Sequence, residues 1–318
     1  MDSIFEYRNC PACGQNDFEV LFESNMEPDD FNVLFNYSME GHDSPEGVEG
    51  YLVPGKEWGR HVKCKYCQLI YMNPIEQVSK TNEYYFKAKN NHASTIRESY
   101  LRTAKSQVGL IQKYTRGMNL LDIGCAQGFF LFSASKAGYT TKGIEISQDA
   151  VEYAREEFGL DIEAKPFEEL RFTENSFDVV TLWQVLEHVP YPLMILEEVH
   201  RILKPGGLLV VSTPNIESIP AKILRKKWWD IKRLHVNQFT TKTLTGILQN
   251  AGFKNASCVS YKGFVSLSIL LTMVLKYLNA YERLKALFNP DSILGKVLNR
   301  VMLIYPSGFN HCVVIGFK

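Results

Sequence analysis

Asn119-Leu120-Leu121-Asp122-Ile123-Gly124-Cys125-Ala126-Gln127-Gly128-Phe129-Phe130-Leu131 reads as a buried strand, a glycine turn and the first turn of a helix. Within Asn119 to Ile123 the residues after Asn119 are apolar except for Asp122, which suits the middle of a parallel sheet covered on both faces. Gly124 and Gly128 stand where the backbone must bend sharply and admit a ligand with no Cβ in the way. About twenty residues further on, a second strand over Thr141 to Ile146 carries the acid Glu145 near its end. A carboxylate there can accept both hydroxyls of a ribose, so the pair describes a nucleoside-binding half-fold.

From that stretch onward, strands and helices alternate, the signature of a doubly wound α/β sheet. Ser147 caps a predicted helix over Gln148 to Phe158, and Gly159 ends it. Asp161 to Lys165 and Ser176 to Trp183 read as the third and fourth strands, and Leu193 to Leu203 as an apolar helix. Lys204-Pro205-Gly206-Gly207 turns the chain into a fifth strand, Leu208 to Ser212. A helix from Thr240 to Ala251 and strands over Ala256 to Tyr261 and Cys312 to Phe317 complete the core. Residues 76–116 carry helical spacing and form a linker or lid, which separates a module at 1–75 from a core domain at 117–318.

The 318-residue chain holds 35 basic and 35 acidic side chains, and this balance argues against a dedicated nucleic-acid binder. Met1 to Glu6 has neither the charge nor the apolar run of a secretory signal, and no apolar run approaches the ~20 residues of a spanning helix. The expected setting is the cytoplasm, where the 7 cysteines are thiols or metal ligands rather than disulfides.

Cys10-Pro-Ala-Cys13 and Cys64-Lys-Tyr-Cys67 are two Cys-x-x-Cys knuckles with 50 residues between them. Together they supply the tetrahedral four-sulfur set that zinc prefers, a closed and therefore structural site. A thioredoxin-like redox pair would need a βαβ context, whereas the flanks here are Pro, Gly and short alternating strands. Asn25 to Asp30 and Glu40 to Gly50 read as loops, while Phe31 to Tyr37 and Trp58 to Lys63 read as ribbon strands. His42 and His61 are spare ligands beside four sufficient cysteines.

With these motifs in hand, the chain resembles the class I S-adenosylmethionine-dependent methyltransferases, in particular the subgroup that includes the quinone-biosynthesis O-methyltransferases. The resemblance is carried by Leu121 to Gly128, Gly143 to Ser147, Phe177 to Val180, Leu186-Glu187-His188-Val189, Lys204 to Gly207 and Ala251-Gly252-Phe253. It implies a mostly parallel seven-stranded Rossmann-like sheet. Asp122, Gly124, Cys125 and Gly128 would shape the pocket for the methionine end of S-adenosylmethionine, with Ala126 where a glycine often stands. It implies that Glu145 holds the ribose and Ile146 packs on the adenine. Phe167 and Glu168 would lie at the adenine, and Trp183 and Gln184 at the reactive end. The N-terminal ribbon is similar to that of zinc-bearing methyltransferases, including deoxysugar C-methyltransferases. A nicotinamide-dependent oxidoreductase is the rival for the half-fold, but its Gly-x-Gly-x-x-Gly turn would need glycine at Ala126. A catalytically inactive scaffold is the other alternative, and it would have no use for a ribose acid.

If the acceptor is a hydroxyl, a base must take its proton. His188 in Leu186-Glu187-His188-Val189 and His235 in Leu234-His235-Val236-Asn237 are the two candidates. Pro214-Asn215 is expected to line the acceptor site, which would take a small molecule, a sugar or a lipid-linked compound. Basic residues between Lys222 and Arg233 flank Trp228-Trp229, and Phe264 to Leu275 is an uncharged stretch read as the start of an amphipathic helix running to about Phe288. Ile293 to Tyr305 reads as a second apolar helix, giving a helical insertion over about 264–308. Residues 222–233 and 264–288 suit peripheral contact with a membrane surface, and equally a buried lid or a homodimer interface.

Overall fold

The computed structural model describes residues 5–22, 60–87, 94–225, 228–231, 234–277 and 292–318. The readings of 25–50, of Trp58 and Gly59, of Lys226, Lys227, Lys232 and Arg233, and of a helix over 278–288 lie outside the described residues.

In the N-terminal part, β1 (Phe5–Glu6) is followed by β2 (Phe18–Phe22), β3 (His61–Cys64) and β4 (Ile70–Met72), and β5 (Ile75–Glu76) returns to pair antiparallel with β1. Helices α1 (Val78–Lys87) and α2 (Ser94–Ile111) lead to the core sheet. The core then alternates as β6 (Asn119–Ile123), α3 (Phe129–Lys136), β7 (Thr140–Ile144), α4 (Gln148–Phe158) and β8 (Ile162–Glu163). It continues through β9 (Phe177–Trp183), α5 (Pro192–Ile202), β10 (Leu203–Pro214), the short α6 (Ile219–Leu224) and β11 (Asn237–Gln238). After α7 (Thr241–Asn250) come β12 (Lys254–Val259), β13 (Lys262–Ser266), α8 (Leu267–Tyr277), α9 (Ile293–Arg300), β14 (Met302–Pro306) and β15 (His311–Phe317).

The seven-stranded sheet has the order β12-β15-β10-β9-β6-β7-β8. β15 runs antiparallel to both its neighbours, β10 and β12, while the β10, β9, β6, β7 and β8 pairs are parallel. Alternate residues of the central strands feed two cores. Leu121, Ile123, Val180, Leu182, Leu209 and Val211 pack on the side of α5 and α7, and Leu120, Val179, Leu208 and Val210 on the side of α2, α3 and α4. A strand buried on both faces has no polar side to show, which is why these segments read as nearly unbroken apolar runs.

The ribbon is not a separate bead. β11, from the loop after β10, pairs antiparallel with β4 and extends the ribbon sheet to the order β11-β4-β3-β2. Cys10, Val62, Cys64, Leu69 and Tyr71 share one apolar cluster with Leu186 and Phe239. Tyr71 and Phe239 are both fully buried, and the Phe239 ring contributes about 1.5–3 kcal/mol by leaving water.

The C-terminal insertion corrects the helical reading. Phe264 to Ser266 belongs to β13, whose residues Lys262 to Ser266 pair antiparallel with Pro306 to Met302. The second helix stops at Arg300, and Met302 to Tyr305 is strand rather than helix. Short apolar runs fit either period, and here a long-range partner decides. α2 helps fix the strand, because Lys262 N–H donates to Ser106 Oγ and Phe264 N–H to Thr103 Oγ1. Of the readings offered for the stretch from 222 to 233, a buried one fits Trp228, which is fully buried and whose indole Nε1–H donates to Asn310 Oδ1 at 3.1 Å. Asp230 holds the other end of the same Asn310 amide at 2.9 Å. A polar partner inside the protein, itself held in place by Asp230, outweighs a headgroup surface for that ring. No helix among the described residues is long and apolar enough to cross a membrane.

Candidate active site

The glycine turn lies at the C-terminal end of β6, and its geometry explains its composition. Gly124 has φ 71° and Gly128 φ 77°, both in the left-handed region. A Cβ on Gly124 would stand 2.5 Å from Val185 Cγ2, so the turn is in contact with the segment that leads to His188. Gly124 and Cys125 N–H groups both donate to Ile144 O, fastening the turn to the end of β7.

Glu145, immediately after β7, faces the same turn. Its Oε2 accepts from Ala126 N–H at 2.9 Å, and its Oε1 accepts from Ile146 and Ser147 N–H, each at 2.8 Å. Burial raises this carboxyl and the three backbone donors oppose the rise. Ala126 itself lies in the left-handed region, φ 47°.

Asp122 is 2% exposed and accepts from Thr181 Oγ1–H at 2.6 Å. Burial pushes its carboxyl from the ordinary 3.8 up to about 8, the Thr181 hydrogen bond pulling down and the Glu145 charge pushing up. The folded protein therefore keeps a proton that the unfolded chain releases near pH 4, and stability falls as the pH rises from about 4 to about 8. Asp122→Asn removes that loss. In the cofactor-free protein it is expected to gain on the wild type as the pH rises, its advantage at pH 9 exceeding that at pH 5 by on the order of 4 kcal/mol. A gap of the same size at both pH values would contradict this account.

The other residues are placed as follows. Phe167 is buried beside Phe172, with ring centroids 6.3 Å apart, and Glu168 is exposed. Ile146 is half-buried next to Glu145. Trp183 packs edge-on against Phe130 and Tyr261, at 5.3 and 5.5 Å. Gln184 takes φ 59° and donates from Nε2 to Ser212 Oγ at 2.9 Å, tying the end of β9 to β10.

The two histidines meet although 46 residues separate His188 from the Leu234 carbonyl it bonds. Their ring centroids lie 4.6 Å apart, nearly perpendicular. His188 Nδ1 is 2.9 Å from Leu234 O, and His235 Nδ1 is 2.8 Å from Asp230 O. A carbonyl oxygen only accepts, so we assign the proton of both rings to Nδ1, which makes Nε2 the basic nitrogen. Tyr85 of α1 brings its hydroxyl oxygen to 2.7 Å from the same His188 Nδ1. Glu187, buried at 1% exposure, completes the group: one ligand atom from each of Glu187, His188 and His235 lies within 4.8 Å of the others. Such a set can hold a divalent cation. Sequence reasoning missed Glu187 and Tyr85. The first stands beside His188 in the quoted motif, and the second lies within the linker or lid read over 76–116.

The four cysteine sulfurs also lie within 4.8 Å of one another, with Cys10–Cys67 at 3.5 Å and Cys13–Cys64 at 3.6 Å. The edge of a tetrahedron with zinc–sulfur bonds of about 2.3 Å is about 3.8 Å, so the donor set and its spacing fit zinc.

Seven strands in this order, a glycine turn after the first and an acid closing the second define a methyltransferase-type nucleoside fold. Residues 84–257, more than half of the chain, match the sequence model of a family described as a methyltransferase domain, and the chain belongs to that family. Among curated proteins it is 38% identical over 109 residues to a ubiquinone biosynthesis O-methyltransferase of Actinobacillus pleuropneumoniae, covering 31% of this chain and 47% of the relative. A protein of the same name from Nitrosococcus oceani is 35% identical over 105 residues, covering 44% of its length. The chain thus spans about half the length of the curated relatives it matches. Among solved structures, a SAM-dependent methyltransferase from Archaeoglobus fulgidus aligns with TM-score 0.48 at 20% identity, over 72% of this chain and 100% of that one. Haemonchus contortus phosphoethanolamine N-methyltransferase 2 aligns with TM-score 0.48 at 16% identity, over 78% of this chain and 62% of that one.

Proposed function

We propose that this protein transfers the methyl group of S-adenosylmethionine to a hydroxyl of a small acceptor, with zinc held structurally by Cys10, Cys13, Cys64 and Cys67. The observation that carries the reading is the pairing of Glu145 with the glycine turn at one end of the sheet and the His188–His235 pair one loop away. The O-methyltransferase names of the curated relatives support a hydroxyl as the acceptor.

S-adenosylmethionine supplies an activated methyl on a cationic sulfur. The chain has to hold the cofactor, align a hydroxyl and receive a proton. Glu145 accepts the ribose hydroxyls, and the missing Cβ atoms of Gly124 and Gly128 let the turn close against Val185 and Leu160 beside that acid. As the O–C bond forms, the S–C bond breaks with its electron pair left on sulfur, and the hydroxyl proton passes to a histidine. His188 is the more accessible of the two rings, and its Nδ1–H bond to Leu234 O aligns the imidazole with Nε2 as acceptor. His235, at 4% exposure, packs against it and keeps it in place. A second reading is favoured by the proximity of Glu187, His188 and His235, which would together hold a divalent cation that acidifies the acceptor hydroxyl.

Methyl-labelled S-adenosylmethionine incubated with small-molecule and lipid extracts of the source cell tests the reaction. Label should enter one acceptor class, and His188→Gln should slow it about 100-fold or more with S-adenosylmethionine binding retained. No transfer to any extract by a protein that binds the cofactor would favour the scaffold alternative. Activity lost to a chelator that leaves the cysteine metal in place, and regained with magnesium or manganese, would select the cation reading over the direct one.

A further inference from the structure

Arg8 sits two residues before Cys10, at 6% exposure. Its main chain is clasped by Asn73: Arg8 N–H donates to Asn73 Oδ1 and Asn73 Nδ2–H donates to Arg8 O, both at 3.0 Å. Its side chain then reaches four acceptors. Nε–H donates to Met72 O at 3.3 Å, Nη1–H to Pro190 O, and Nη2–H to Val236 O at 3.1 Å and to Asn237 Oδ1 at 3.2 Å.

These acceptors are not scattered. Met72 ends β4 of the ribbon, Pro190 lies two residues after His188, and Val236 directly follows His235. Asn237 extends the web, donating from Nδ2 to Leu186 O at 3.2 Å and to Val189 O at 2.7 Å, and from its backbone N–H to Glu187 O at 3.1 Å. One guanidinium therefore laces the four-cysteine module to both loops that carry the histidines. Planar and fork-shaped, it serves several fixed acceptors at once, which a lysine ammonium does less well.

The charge is the second observation. The direct acceptors of this buried cation are three carbonyls and an amide oxygen, all neutral, and the carboxylate nearby is that of the partly exposed Glu6, which accepts from Tyr191. A buried charge is costly without an opposite one nearby. Four thiolates around a divalent metal leave two net negative charges, and Cys10 brings that centre to within two residues of Arg8.

We propose that Arg8 is a positioning residue through which metal occupancy at Cys10, Cys13, Cys64 and Cys67 sets the placement of the His188 and His235 imidazoles. This rests on the reading of those histidines as the reactive pair, but its test does not depend on methyl transfer. In the full chain with 15N-labelled histidine, the two rings should show the Nδ1-protonated tautomer, with signals assigned through His188→Gln and His235→Gln. Arg8→Met is expected to shift both toward the mixed-tautomer average of a solvated imidazole while S-adenosylmethionine still binds. Arg8→Lys should restore the signals in part. Unchanged tautomer signals in Arg8→Met would overturn the proposal. Should that variant fail to fold, wild-type protein stripped of zinc decides: loss of the same two signals supports the coupling, and their persistence overturns it. Calorimetry of wild type with S-adenosylmethionine stands apart from these outcomes, so failure of the cofactor reading and failure of the coupling are told apart.

Discussion

Replacing Glu145 by alanine is expected to weaken S-adenosylmethionine binding about 100-fold, roughly 3 kcal/mol, by isothermal calorimetry. A carboxylate offers about four acceptor positions. Three are taken by the N–H groups of Ala126, Ile146 and Ser147, and the Ala126 contact is exposed. A ribose can therefore use the vacant position and compete for the Ala126 one, and charge-assisted bonds of this kind are worth about 1.5–3 kcal/mol each. The variant should fold, because of the three donors it orphans that of Ala126 lies where water can reach it and those of Ile146 and Ser147 are only partly buried. Glu145→Gln, which keeps an acceptor oxygen and loses the charge, should fall between the two. Affinity unchanged in Glu145→Ala, with the fold intact, would remove the central support for the cofactor assignment.

The second large effect is expected from the metal. Purified protein should carry one equivalent of zinc, and stripping it should cost about 4 kcal/mol or more, or about 10 °C in melting temperature for a domain of this size. Losing the metal would not merely release a tail. The cluster that includes Cys10, Cys64 and Tyr71 also includes Leu186, Phe239 and Leu244, so loosening the ribbon opens one face of the main core. Amides of β2 to β4 should lose hydrogen-exchange protection first, and those of β6 and β9 should keep it. Less than about half an equivalent of zinc, or an unchanged melting curve after stripping, would count against a structural metal.

Local patterns made much of this legible before any coordinates. The run from Asn119 to Leu131 and the acid at Glu145 announce their roles within a few residues, because a glycine turn and a buried strand are short-range constraints. The cysteine knuckles are legible for the same reason, since each pair is set by one turn. Contacts assembled over long separations were not. Nothing around Asn237 signals that it adds a strand to a ribbon begun at Phe18, and Arg8 looks like any basic residue near a terminus until its acceptors converge. The stretch from Met302 to Tyr305 misled because four apolar residues carry no reliable period. His188 and His235 were each identified as acid–base candidates, but that they face each other, with Glu187 and Tyr85 alongside, is a property of the loops that carry them.

The place of β15 in the sheet bears on how the chain is made. This strand follows every other in sequence yet seats between β10 and β12, pairing seven residues of β10 from Leu208 to Pro214. While a ribosome is still adding the residues beyond Asn310, the Leu208-to-Thr213 edge, among the most apolar backbone in the protein, has no partner on that side. β12 has nothing to join. An unpaired, long, apolar edge is a template for the wrong strand, whether from a neighbouring nascent chain or from the β13–β14 hairpin of the same one. The nascent chain is therefore most exposed to mispairing in the interval between the emergence of β10 and that of β15, and chaperone demand should be higher there than when the first strands emerge.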